Sequence, residues 1–172
     1  IMGFELESDA NRMMEVLPKR FKRFKLDLHP EKTRLIPFGK PPRNGKPGGT
    51  FDFLGFTFYW GKSLKGFWVI KKQTARKRRN RFMRAQWHWC KKNRHEPVKL
   101  QHETLCSKLR GFYQYFGVRS NFKVLEVVYE YTQKAWRRWL GERDRDGYIS
   151  HEDFNKILKT YPLPLPRIVH NI

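Results

Sequence analysis

The chain has 172 residues, with 37 Lys and Arg against 16 Asp and Glu, giving a formal net charge of +21. Its content of 39% hydrophobic and 16% aromatic residues excludes a disordered basic tail, which would lack groups to bury, and no apolar run is long enough to span a bilayer. Such a charge answers an anionic partner: nucleic acid first, because neutralised phosphates release counterions, and an acidic membrane surface second.

Residues 8–24 predict a helix. Ser8 or Asp9 would cap it, and Ala10, Met13, Met14, Leu17, Phe21 and Phe24 would share one face. Pro18 inside that pattern is expected to kink or divide it. Short strands are expected at residues 26–28 and 33–38, with a turn at His29, Pro30 and Glu31 between them. The Gly- and Pro-rich stretch GKPPRNGKPGG (residues 39–49) predicts an exposed loop. FDFLGFTFYW (residues 51–60) alternates like a single strand, with Gly55 admitting another backbone or marking a bulge. A turn at residues 61–66 and a strand at 67–71 complete a hairpin.

Beyond residue 72 the pattern is helical. A helix over residues 74–93 carries Phe82, Ala85, Gln86 and Trp89 on one face. A second, over residues 97–116, carries Leu105, Leu109, Phe112, Tyr113 and Phe116, and Gly117 ends it. A third runs to about Leu140, capped by Ser120 or Asn121, with Phe122, Leu125, Val128, Tyr129, Thr132, Trp136 and Trp139 as its stripe. Such helices make a small bundle. A short helix over residues 150–161 then precedes the Pro-rich YPLPLPRIVHNI.

The strongest functional signal lies at residues 71–95. Lys71, Lys72, Arg76, Lys77, Arg78, Arg79, Arg81, Arg84, Lys91, Lys92 and Arg94 fall there without one Asp or Glu. No helical i,i+4 pair can offset them locally. A merely solvated face would leave this repulsion unanswered, so the pattern predicts a surface that tracks phosphates. Phe82, Trp87, Trp89 and Trp68 lie among these charges, some as core and some as candidates to stack on bases.

LDLHPEKTRLIPFGK (residues 26–40) followed by FDFLGFTF (residues 51–58) resembles the end of the palm in group II intron reverse transcriptases. LRGFYQYFGV (residues 109–118) and PLPLPRIVHNI (residues 162–172) resemble that family's thumb, or maturase X domain. The resemblance covers nearly the whole chain and implies an α+β fold: a truncated palm edge with a hairpin over residues 1–71, an all-α three-helix thumb over 72–141, and a short helix with a Pro-rich tail over 142–172. It implies that Phe53, Leu54, Gly55 and Phe56 form a primer-grip-like hairpin, and that Lys32 is a catalytic proton donor to the leaving pyrophosphate, against the plainer role of a surface lysine. Arg110 and Arg119 would join the basic helix in facing nucleic acid.

The implied function is the gripping of template–primer duplex and intron RNA within an RNA-directed DNA polymerase and intron maturase. The implied partners are intron RNA, RNA–DNA duplex and the fingers and palm of the same protein, in a bacterial cytoplasmic ribonucleoprotein and not at a membrane. The alternatives are a stand-alone RNA-binding splicing cofactor and, third, a calcium-binding adaptor. The family's polymerase uses Mg²⁺ held by an Asp-Asp turn; Ile1 opens the chain without an initiator Met, and residues 1–4 align with the strand after that turn. The expectation is therefore a fragment without cofactor or metal of its own.

Two motifs compete with this reading. Residues 142–153 match a calcium loop of the EF-hand type, with acids at loop positions 1, 3, 5 and 12 and Gly147 at position 6. Glu142 at position 1, Asp153 at position 12 and the cations Arg143 and Arg145 weigh against it. Cys90, His95, His102 and Cys106 have zinc-ligand chemistry, but their spacing fits no common structural site, and the two cysteines are expected to pack in the bundle of a protein from a reducing compartment. A primer-extension assay on the purified chain is expected to give no template-dependent product; extension would overturn that expectation.

Overall fold

A computed structural model describes residues 1–143 and 147–170. The fold is mixed α+β, in two compact units, Ile1–Gly49 and Thr50–Ile172. In the first, helix α1 spans Glu7–Lys22. Its N-cap is Leu6, without a side-chain cap, so Ser8 and Asp9 lie inside the first turn instead of capping it. Glu7 and Asp9 there complement the positive end of the helix dipole. Pro18 does not divide the helix. It is exposed, and it deprives the Met14 carbonyl of its helical hydrogen bond. Residues 26–28 and 33–38 form no strands, since neither finds a ladder partner among the described residues. The turn between them does form, closed by the Lys32 and Thr33 N–H groups donating to the His29 carbonyl at 3.1 and 3.0 Å.

The second unit opens with an antiparallel sheet: β1 (Phe51–Phe53), β2 (Phe56–Lys62) and β3 (Trp68–Thr74), in that order. The single strand expected over residues 51–60 is in fact folded in two. Leu54 and Gly55 have φ of 47° and 81°. Positive φ at both central residues is the signature of a type I′ turn, whose twist matches that of a two-residue hairpin. The consequence for side chains is large. A continuous strand would put Phe53 and Phe56 on opposite faces. The hairpin pairs them, and pairs Phe51 with Phe58, whose rings stack 5.1 Å apart. The second turn is closed by the Ser63 N–H to the Phe67 carbonyl at 2.8 Å.

Helices α2 (Arg76–Lys92), α3 (Val98–Phe116) and α4 (Phe122–Gly141) follow, with a 3₁₀ turn at Arg119–Asn121 and α5 at His151–Thr160. The helical stripes of α3 and α4 become the core: Leu105, Leu109, Phe112 and Tyr113 meet Leu125, Val128, Ala135 and Trp136. Phe154 of α5 and Leu163 of the tail complete it. Cys90 and Cys106 are buried there, and burial raises the Cys90 thiol pKa to about 12 against the pull of Lys108. Ser150 caps α5, accepting from the Asp153 N–H at 3.0 Å and donating to its carboxylate at 2.7 Å.

Three buried polar residues join the parts. Thr74, expected in a helix, ends β3, and Asn121, expected as a helix cap, bonds to it. The Asn121 side-chain oxygen accepts from the Thr74 N–H at 2.8 Å, and its Nδ2 donates to Thr74 Oγ1 at 2.7 Å and to the Phe116 carbonyl at 2.8 Å. Ser120 Oγ donates to the Lys72 carbonyl at 2.6 Å and accepts from its N–H at 3.2 Å. Two side chains thus cover an edge of β3 that would otherwise stay open. Gln101 plays the same part at the far end of the bundle. Its Nε2 donates to the carbonyls of Asn93 and Glu96 at 2.8 and 2.9 Å, and its Oε1 accepts from Trp136 Nε1 at 2.8 Å.

Gly117 ends α3 as expected, but not by a left-handed conformation. Its φ of −75° and ψ of 60° form an inverse γ-turn, with the Val118 N–H donating to the Phe116 carbonyl at 2.8 Å. Glycine is required because a Cβ would lie 2.3 Å from the Tyr113 carbonyl oxygen. The tail runs back over this point: the N–H groups of Val169 and His170 donate to the Gly117 carbonyl at 2.7 and 2.9 Å.

Asn121→Ala is expected to lower unfolding stability by about 3 kcal/mol, because it strands buried donors and acceptors at both ends of the link. Urea denaturation followed by circular dichroism measures it. A loss below about 1 kcal/mol would contradict the role given to this residue.

Candidate nucleic-acid interface

Helix α2 starts with four consecutive cations, Arg76, Lys77, Arg78 and Arg79, and no acid in its first turn. The positive end of the helix dipole makes that placement unfavourable by about 0.3–1 kcal/mol per charge unless an anion is near. Lys77, Arg81, Arg84 and Lys91, at helical spacing, are all exposed. This stripe runs about 21 Å along the helix at a rise of 1.5 Å per residue. Ion pairs among the described residues are Arg138–Glu142 at 2.6 Å and Lys156–Asp153 at 2.8 Å, neither of which involves an α2 cation.

Three cations of the surface, Lys91 of the stripe among them, lie over rings. Lys72 Nζ is 5.7 Å from the Phe56 ring centroid, Lys91 Nζ is 5.3 Å from that of Trp139, and Lys108 Nζ is 4.5 Å from that of Trp89. Partial burial lowers the Lys108 pKa. Arg110 on α3 and Arg119 in the 3₁₀ turn are exposed, Arg119 directly before the Ser120 that holds β3.

The aromatic residues of α2 are mostly turned inward. Phe82 packs on Phe112 with centroids 4.5 Å apart, and Trp87 meets Trp139 edge-on at 5.3 Å. Trp89 also packs against the core. These rings therefore support the fold and do not form a platform along the stripe. The inward face of α2 is Gln86 and Cys90, whereas Ala85, expected inward, is exposed.

Leu54 and Gly55, of the four residues expected in the primer-grip-like hairpin, meet part of the basic helix in one cleft of about 460 Å³. The Leu54–Gly55 turn forms one wall. Arg78, Arg81, Phe82 and Ala85 of α2 form the second, and Phe112, Tyr115 and Phe116 of α3 the third. The turn is tied to α3 by Tyr115, whose hydroxyl donates to the Leu54 carbonyl at 2.8 Å. Phe56 is fixed beside it, stacked on Tyr115 at 5.9 Å and edge-on to Phe116 at 5.2 Å. Phe53, in contrast, is exposed on β1 and does not line the cleft. Gly55 is restricted by conformation, not by contact: a Cβ there would sit an ordinary 3.6 Å from Phe116 but at φ 81°. Leu54 holds the same left-handed region without that freedom and is 66% exposed.

Sequence reasoning did not single out Tyr115, Phe112 or Phe116 as site residues. Their i, i+3, i+4 spacing was a visible signal, but the opposing wall depends on the unrecognised turn. Lys32 lies in the first unit, exposed in the His29–Thr33 turn. Residues 144–146 of the calcium-loop motif lie outside the described residues, and among the described residues no group of three metal-ligating side chains forms. No helix among them is long and apolar enough to cross a membrane. Comparison with protein-family models, curated proteins and solved structures gave no match.

Leu54→Asn is expected to raise stability by about 1 kcal/mol, since Asn tolerates the left-handed region and Leu does not. A thermal melt would register the increase; a drop of similar size would mean that the Leu54 side chain makes a stabilising contact.

Proposed function

We propose that this chain is the nucleic-acid-gripping part of an RNA-directed DNA polymerase and intron maturase of the group II intron type, holding template–primer duplex and intron RNA. The observation that carries this reading is the α2 stripe, whose cations face solvent without an ion-pair partner among the described carboxylates. A-form duplexes present phosphates and 2′-hydroxyls to a protein more readily than base edges. Exposed Arg and Lys on a rigid helix suit that chemistry. The cleft at the Leu54–Gly55 turn supports the hairpin as a primer-grip-like element next to the stripe. Under this proposal Lys32 serves as proton donor to pyrophosphate in the assembled polymerase, and the Mg²⁺ ions belong to aspartates of the family's Asp-Asp turn. The working environment is a bacterial cytoplasmic ribonucleoprotein.

A second reading, a stand-alone RNA-binding splicing cofactor, is favoured by the Thr50–Ile172 unit having a core of its own. Comparable affinity for RNA–DNA duplex and folded intron RNA supports the first reading; exclusive binding of folded RNA supports the second.

Filter binding to structured RNA across a salt series is expected to give a slope of log K against log salt of about −4 or steeper. Replacing Lys77, Arg81 and Arg84 together with Gln should flatten that slope by about 2 to 3 and weaken binding on all sequences alike. Affinity that hardly changes with salt would overturn a phosphate-led interface.

A further inference from the structure

We propose that the cleft between the Leu54–Gly55 turn, α2 and α3 receives one unstacked nucleobase of a bound RNA, with the adjoining phosphate on Arg78 and Arg81. This rests on the nucleic-acid reading above and names what part of the RNA the cleft takes.

The stripe by itself is suited to phosphates only, because the rings on α2 are engaged with the core. Ring surface open to solvent meets the stripe where α3 contributes Tyr115, 52% exposed, with half-buried Phe116 beside it. Tyr115 is held in place from two sides, by its hydroxyl on the Leu54 carbonyl at 2.8 Å and by its stack on Phe56 at 5.9 Å. A ring fixed in this way loses little freedom when a second ring stacks on it.

Size and charge narrow the occupant. A volume of about 460 Å³ lies in the lower part of the range for small-ligand pockets, about 300–1,000 Å³. That holds a base and its sugar but not a helix or a paired strand. No carboxylate lines the cleft, and two guanidinium groups do. The fitting ligand is flat, largely apolar and attached to an anion. A base inside a duplex is stacked on both faces and beyond reach, so the nucleotide must come from a bulge, loop or end, where leaving the stack costs least.

The test compares three RNA duplexes of one length: fully paired, with a single unpaired adenosine, and with an abasic residue at that place. The unpaired adenosine is expected to bind about tenfold tighter than either control, the scale of one base stacked on an aromatic ring. A 4-thiouridine at the unpaired position should photocrosslink to the peptide containing Tyr115. Ala85→Trp, at an exposed helical position, fills the cleft; it should abolish the preference, while binding of the paired duplex keeps its steep dependence on salt. Ala85→Ser leaves the cleft open and should keep the preference. Equal binding of all three duplexes with a steep salt dependence overturns this inference and leaves the phosphate grip standing, as does a preference that survives Ala85→Trp. Binding of none of them overturns both. Selective displacement of the unpaired-base complex by an acidic peptide bearing one Trp would overturn it by assigning the cleft to a protein segment.

Discussion

One buried amide decides where the sheet stands. Asn121 joins the last residue of β3 to the last turn of α3, and it does so from the start of α4. Three elements that are distant in sequence therefore share a single side chain of fixed hydrogen-bonding geometry. Ser120 adds two bonds to the backbone of Lys72, in place of the strand that would otherwise pair there. The Leu54–Gly55 turn, at the opposite end of β2 from the Ser63–Gly66 turn, meets Tyr115 of α3 at the end of the sheet that this anchor holds. The tight γ-turn at Gly117 places Asn121 close enough to reach back to Phe116, so a missing side chain at residue 117 and a present one at residue 121 act together.

Much of the bundle was legible in the sequence. The 3.6-residue stripes of α3 and α4 named Leu105, Leu109, Leu125, Val128 and Trp136, all of which are in the core. Apolar periodicity survives folding because burial needs it. The buried polar residues were not legible for the same reason. Gln101 and Asn121 look like surface or cap residues until their acceptors, many positions away in sequence, come into view. The hairpin at Leu54 was easily missed. The turn shows in the sequence only as a change of phase, aromatics at 51 and 53 giving way to 56 and 58, and Leu gives no warning of a left-handed conformation. In the first unit, β-branched and apolar composition at residues 33–38 suggested a strand, yet a strand exists only with a partner to share its hydrogen bonds.

The basic surface was legible in charge and not in shape. Composition placed the cations on one helix, but only the fold shows that its rings turn inward while the exposed rings come from α3. That division of labour has a physical basis. Tryptophan and phenylalanine on α2 hold the helix against the bundle, offsetting the mutual repulsion of the cations on its outer side. Where lysines do approach rings, as Lys108 over Trp89 and Lys91 over Trp139, the ammonium lies over the ring face, and Lys108 is partly withdrawn from water in doing so.

The crowding of cations at the start of α2 also bears on how long the molecule survives. Charges that repel one another in the free protein do so less once a polyanion lies across them, so occupancy and folding stability rise together. Opening of the first turn of α2, where Ala75 links the helix to the Gly55 carbonyl at 2.9 Å, should then be most frequent in molecules without a partner. A cell's proteases act on such openings. Under the proposed function, turnover would fall hardest on copies without a bound polyanion.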